Sequence, residues 1–387
     1  MYEEKINEIL PNVRELKNAG RYQDLVVQLE SKLSQPLSLE QQLVINAELG
    51  KLHTIIFHDN NKAESYLRAT LQLSREQGSE EFDAFCNHYL GTLASNNAQF
   101  DEAERLLNKA LVIRRRLGLN LQLSATLNNL AILHQEQGNL RKAYELMSSQ
   151  LTIPEFVSVP QKVSLAWLNM AELLAAMGRI SEAYELYERT AAYSQKHSYV
   201  RSLLLAEGEL ARLELNQGKV QEAQRRFNSF EELRTTYQGS IEVELIAYSL
   251  KIQLLAEQGN LDDAQQLLGE FRSKVKSFDQ QGFNRRVLAR TLMLSEALVM
   301  QQLGDPSTTQ KWEVTRGIAE QGNDLELLSL ATIHLVANYV REGQGKKATK
   351  VMNDTLEVLV QEGSEELIAW HLTQVFRLQL KLASQSV

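Results

Sequence analysis

Seven histidines, one cysteine and a G-x-G-x-x-A string are the features of this 387-residue chain that invite chemistry. The histidines stand at 53, 58, 88, 134, 197, 334 and 371, and none has another three or four residues away. No helix can therefore carry the His pair of a zinc enzyme. A single cysteine, Cys86, makes neither an intramolecular disulfide nor a multi-thiolate metal site. With Phe85 and Tyr89 beside it, Cys86 reads as a small core residue on a helix face. Gly343-Gln344-Gly345-Lys346-Lys347-Ala348 formally fits the dinucleotide fingerprint. That fingerprint needs a preceding strand, so that the glycine turn meets the pyrophosphate at a sheet edge. Here the preceding HLVANYVRE (334–342) reads as helix, and Val340 stands where a phosphate loop needs its first glycine. Carboxylates are plentiful but follow a helical surface pattern, so no acid–base pair stands out from them. The expectation is a chain without catalytic residues, metal or cofactor.

The composition of the elements that would hold any site is that of helices. Prolines occur only at 11, 36, 154, 160 and 306, leaving long stretches rich in Ala, Leu, Glu, Gln, Lys and Arg. Lys and Arg total 41 against 49 Asp and Glu, a net charge of −8 that disfavours a nucleic-acid partner. The clusters Arg114-Arg115-Arg116 and Lys346-Lys347 read as solvated helix ends rather than binding patches. MYEEKINEILPNVREL at the start lacks a cationic head and apolar run, and no segment approaches the roughly 20 apolar residues of a membrane span. Cytoplasmic residence without membrane contact is expected.

One phrase recurs: QGNLRKA at 137–143, MGRISEA at 177–183, QGKVQEA at 217–223 and QGNLDDA at 258–264. Its closing alanines extend to Ala63 and Ala103 before and Ala348 after, at intervals of 40, then 41, then 84 for two units. AGRYQDL (19–25) is a weak copy one period earlier. The glycine suits the left-handed residue that closes a helix, and Asp101, Ser181 and Asp262 suit the next helix's first turn. The alanine fits where two helices approach most closely. Four residues after it come Leu67, Leu107, Met147, Tyr187, Phe227, Leu268 and Met352, on the same face. A second column of small residues, Gly91, Ala131, Ala171 and Ala211, keeps the 40-residue spacing. In the unit after Ala264, Gly304-Asp305-Pro306 replaces the usual turn and Thr309 takes the alanine's place, with Trp312 close behind.

A small residue in the first helix, a glycine before the turn and an alanine opening the second helix resemble the tetratricopeptide repeat. TLNNLAILHQEQGNLRKAYEL (126–146) looks most like repeats of the kinesin light chain type. The long unit also resembles the superhelical sensor domain of the maltose-activator class of bacterial transcription regulators. The family's proline near the end of the unit is mostly absent. The expected fold is all-α: a right-handed α-solenoid of about nine helix-pair repeats plus a C-terminal capping helix. It is read as one body over 1–387, with a degenerate repeat at 1–40, regular repeats at 41–275, irregular ones at 276–364 and a cap at 365–387. Two breaks stand out, LTIPEFVSVPQ (151–161) and FDQQGFN (278–284). The latter marks either a change of curvature around 280–310 or simple loop drift.

The resemblance also implies a concave groove lined by the first helix of each pair, at positions 11, 14, 15 and 18 residues before the repeat alanine. The residues so placed include His88, Tyr89, Thr92, Asn128, Asn129, Asn169, Glu172, Glu209 and Arg212. An asparagine there either holds a ligand backbone, offering donor and acceptor together, or bonds a neighbouring helix. The implied function is a non-catalytic scaffold or adaptor that cradles a protein or peptide. The alternative is a sensor module of a bacterial transcription regulator, responding to a small molecule or signalling peptide.

Overall fold

The computed structural model describes the chain apart from residues 1, 20, 58, 236, 238–239, 281–284, 363–364 and 385–387. Among the described residues every regular element is a helix. Three short helices open the chain: α1 (Tyr2–Ile9), α2 (Val13–Asn18) and α3 (Tyr22–Leu33). Antiparallel pairs follow: α4 (Leu39–Ile55) with α5 (Asn60–Gln77), and α6 (Glu80–Asn96) with α7 (Phe100–Arg116). Next come α8 (Asn120–Glu136), α9 (Leu140–Leu151) and the single turn α10 (Pro154–Val157). The pairs resume with α11 (Pro160–Ala176) and α12 (Ile180–Lys196), then α13 (Val200–Asn216) and α14 (Val220–Arg234). They continue with α15 (Ile241–Glu257) and α16 (Leu261–Gln280), then α17 (Arg285–Leu303) and α18 (Thr308–Gln321). The last pair is α19 (Leu325–Arg341) and α20 (Gly345–Glu362), and α21 (Glu365–Ser384) ends the chain. Two compact units form, Met1–Leu133 with Ser148–Phe156, and His134–Met147 with Val157–Val387.

The repeat phrase does the mechanical work expected of it. Gly138, Gly178, Gly218, Gly259, Gly304 and Gly343 all take φ between +67° and +79° between the two helices of a pair. At Gly138 the turn closes with Asn139 N donating to the His134 carbonyl at 2.8 Å, the long bond of a Schellman cap. The alanines at 63, 103, 143, 183, 223 and 264 are all fully buried, as are Leu67, Leu107 and Tyr187 one turn on. The break at 151–161 shortens α9 to 12 residues, against 17 in α7 and α12, with Pro160 opening α11. The break at 278–284 lies partly outside the described residues.

Two sequence readings need correction. The residue in the alanine's place before Trp312 is Thr308, not Thr309. Thr308 is 5% exposed and Trp312, four residues on, is fully buried. The cause is the turn, where Asp305 Oδ1 accepts from Ser307 N and the Thr308 hydroxyl donates to the Asp305 carbonyl, bringing the buried face one residue nearer Gly304. Nor is the Arg114-Arg115-Arg116 cluster simply a solvated helix end. Arg114 is only 4% exposed, donating to the Gln122 carbonyl at 2.8 Å and to Thr126 Oγ1 at 2.5 Å. Arg116 pairs with Glu80 at 2.6 Å, tying α7 to α6.

Small residues in the first helices are set by close approach. A Cβ on Gly208 in α13 would lie 2.4 Å from Ile246 Cγ2 in α15. Ile246 is β-branched and has little rotamer freedom in a helix, so the helices would have to move apart. Gly208→Ala is expected to cost about 1–3 kcal/mol, the range for overpacking, read as a lower denaturation midpoint with unchanged m-value.

Candidate functional site

In the first unit the face expected to line a groove is covered at one end and open further along. On α4 the corresponding residues are Ile45, Glu48, Leu49 and Leu52, all buried. Ile6, Leu10, Val13 and Leu16 of the opening segment share their core, and Lys17 Nζ reaches Glu48 at 2.8 Å. On α6 and α8 the same positions are different. Phe85, Tyr89, Thr92, Asn128 and Asn129 are half-buried, while Ala125 and Ile132 are exposed.

Phe85, Tyr89, Thr92 and Asn129 form a connected strip through His88. The Phe85 and Tyr89 rings lie 4.6 Å apart, and His88 meets Tyr89 edge-on at 4.9 Å. Asn129 Nδ2 donates to Thr92 Oγ1 at 2.9 Å, and the Thr92 hydroxyl donates to the His88 carbonyl at 3.0 Å. Asn129 thus bonds the neighbouring helix and is held in place by it. His88 lies beneath the strip, 5% exposed, with Nδ1 3.4 Å from the Thr126 hydroxyl that accepts from Arg114. Burial, and then the Arg114 charge, push the His88 pKa well below 6.5. A neutral buried imidazole on this chain of contacts is a hydrogen-bonding floor and not a proton carrier. The strip presents aromatic edge, hydroxyl and amide to one side. Those groups suit an extended backbone or the face of a helix, and they include no activated nucleophile.

In the second unit the expected groove residues meet another part of the chain. Arg212 Nε donates to Glu209 at 2.7 Å, and its Nη1 donates to Glu326 of α19 at 2.6 Å. Asn216 Nδ2 donates to the same Glu326 oxygen at 2.9 Å. Burial opposes the Arg212 charge, but Glu209 and Glu326 outweigh it and hold the guanidinium pKa well above its ordinary value. Asn169 is half-buried and Glu172 exposed on α11, which also packs against α19. The nine residues expected from the sequence thus fall in two groups. His88, Tyr89, Thr92, Asn128 and Asn129 belong to the first unit, and Asn169, Glu172, Glu209 and Arg212 to the second. Sequence reasoning does not find Asn216 or Glu326, because nothing local ties residues 110 apart. Among the described residues no group of three or more His, Cys, Asp and Glu is arranged to hold a metal. No helix of the described residues is long and apolar enough to cross a membrane.

Comparison with known proteins agrees with this geometry. One tetratricopeptide-repeat family model matches residues 83–148, and a second matches 164–189 and 246–270. A TPR repeat-containing protein of Dictyostelium discoideum is 34% identical over 71 residues, 18% of this chain. The chain spans only 4% of that protein's length. Among solved structures, a Rap protein complexed with competence and sporulation factor aligns with TM-score 0.58 and 14% identity, covering 99% of both chains. The apo form of the quorum sensor NprR from B. thuringiensis aligns with TM-score 0.58 and 13% identity, over 92% of this chain and 98% of that one. The Rap conjugation gene regulator of plasmid pLS20, in complex with the Phr* peptide, aligns with TM-score 0.60 and 10% identity, over 88% and 94%. At such identities the likeness is one of fold. The segments 83–148, 164–189 and 246–270 match tetratricopeptide-repeat models, and the helix pairs around them share the fold of tetratricopeptide-type solenoids.

Proposed function

We propose that this protein is a non-catalytic, cytoplasmic scaffold that binds a peptide or a helix of a partner protein on the α6–α8 face. The observation that carries the reading is the half-buried strip of Tyr89, Thr92 and Asn129, linked through His88, with Asn128 beside Asn129 on α8. On α13 the expected groove residue Arg212 is engaged by Glu326, whereas on α6 and α8 the polar side chains of Tyr89, Thr92, Asn128 and Asn129 are only half-buried. A regulatory role as a sensor of a signalling peptide is supported by the shared fold of the pLS20 regulator, solved with the Phr* peptide. A small-molecule effector remains the alternative within the same role.

Affinity capture with the full chain from its source cell identifies the partner, and variants then locate the surface. Tyr89→Ala with Asn128→Ala is expected to weaken that partner at least tenfold, from a lost aromatic anchor and an unmet backbone hydrogen bond at about 1–3 kcal/mol. Glu145→Ala, exposed on α9, is the control and should leave the dissociation constant unchanged. Equal binding by the double variant and wild type would move the site off α6 and α8.

A further inference from the structure

The second unit contains a contact between residues more than a hundred positions apart that the repeat pattern does not call for. The turn before α19 and that helix's first turn seat against α11, α13 and the turn after α8. Asn323 takes a left-handed φ of +49° and its Nδ2 donates to the Gly138 carbonyl at 3.1 Å. Gly138 itself has φ +77°, and a Cβ there would stand 3.1 Å from Asn323 Cβ. Asp324 caps α19, its Oδ1 accepting from Leu327 N at 3.0 Å, and so fixes the direction of the next turn. That turn delivers Glu326, 8% exposed at its side chain, onto Arg212 and Asn216.

The receiving side is organised independently of Glu326. Glu209, one helical turn before Arg212, holds the guanidinium by its Nε edge and leaves the Nη edge pointing across the groove. Asn216, one turn after, adds an amide donor to the same point. An Arg fork and an Asn amide converging on one oxygen recognise a carboxylate. Beneath lies the fully buried Tyr187, whose hydroxyl has no hydrogen-bond partner and sits in the field of Glu209, Glu172, Arg212 and Glu326. An unsatisfied buried hydroxyl is costly, so this floor has a polar group to offer when the occupant changes.

We propose that Arg212 and Asn216 form a carboxylate-recognition site in the groove of the second unit, that Glu326 is its internal occupant, and that an acidic side chain of a bound peptide displaces it. The proposal rests on the groove-binding reading and adds to it the chemistry of one ligand residue and a contact that restrains binding. Exchange of one carboxylate for another keeps the charge around Arg212 constant. The internal occupant is favoured by its tether, which presents it at an effective concentration in the millimolar range. A partner therefore needs further contacts along the groove to win, and release of α19 follows only from such a partner.

The test uses the full chain and a fluorescein-labelled octapeptide, GNDLELLS, copying residues 322–329. Wild type is expected to bind it weakly by anisotropy. Asn323→Ala with Glu326→Ala removes the amide contact to Gly138 and the carboxylate contacts to Arg212 and Asn216, and should bind the octapeptide at least tenfold more tightly. Adding Arg212→Gln should abolish that gain, and a GNDLQLLS peptide should not bind. Hydrogen exchange should rise in 322–331 and 134–140 of the double variant, with 245–275 unchanged. Octapeptide binding no tighter than in wild type overturns the proposal, as does equal binding of GNDLQLLS or unchanged protection of 322–331. Should the double variant fold poorly, Asn216→Ala keeps the ion pair and must still raise exchange in 322–331 at least threefold. No natural partner enters this assay. Failure here therefore leaves the α6–α8 reading standing, and loss of the natural partner by Tyr89 variants leaves the octapeptide result untouched.

Discussion

Replacing Ala183 by Glu is expected to destabilise the protein by about 3–5 kcal/mol, the range for a buried charge without a partner. Ala183 is fully exposed to packing and not at all to solvent: its relative exposure is 0%, and α12 lies against both α11 and α13. A Glu side chain at that point must force the helices apart, bury its carboxylate, or do some of each. In a repeat protein each pair touches chiefly its neighbours, so the damage should stay local. Hydrogen exchange is expected to accelerate in residues 160–234, with α4 and α5 keeping wild-type protection. An unchanged melting temperature would place the alanine column outside the helix contacts and undo the repeat register.

The alanine column is legible from sequence because a solenoid imposes the same helix crossing at every period. Ala143, Ala183 and Ala223 solve one steric problem three times, and repetition separates them from background. Where the turn chemistry changes, the same logic slips by one residue. Pro306 and the Asp305 hydrogen bonds rebuild the α17–α18 turn, so counting from Gly304 points to Thr309 while burial selects Thr308. Arg114 is illegible for another reason. It occupies a position where other repeats bury Ser74 or Ser194, and only the Thr126 and Gln122 acceptors of the next helix make burial of its guanidinium tolerable. The strip on α6 and α8 is half legible. Spacing places Tyr89, Thr92 and Asn129 on one side, whereas the Asn129–Thr92 bond depends on how far α8 is rotated against α6. The Arg212–Glu326 contact lies beyond any periodic reading. It depends on the accumulated path of four helix pairs, and no local residue records that sum.

Acid is expected to loosen the last helix, through His371. Its side chain is fully buried, with Nδ1 2.7 Å from the Ser329 hydroxyl of α19 and Nε2 without a hydrogen-bond partner. Around this end of α19, Leu325, Leu359 and Leu367 form an apolar cluster joined by Ile368 and Trp370. Burial lowers the His371 pKa from 6.5 to about 4. Above pH 6.5 the imidazole is neutral whether α21 is docked or released, and docking has its full strength. Between pH 6.5 and about 4 the released helix takes up a proton that the docked helix refuses, so docking weakens as pH falls. The whole shift corresponds to about 3 kcal/mol, and at pH 5 the population of released α21 should rise about thirtyfold over pH 7.5. Hydrogen exchange across 367–376, corrected for its intrinsic pH dependence, reads this directly. Tryptophan emission would mislead, because Trp312 stacks at 4.2 Å on His334, whose pKa burial also lowers to about 4. His371→Leu removes the titrating group while keeping an apolar side chain against α19, and its exchange in 367–376 should not depend on pH over this window. If the leucine variant loosens with acid as wild type does, the proton is taken up elsewhere and His371 is not what couples α21 to pH.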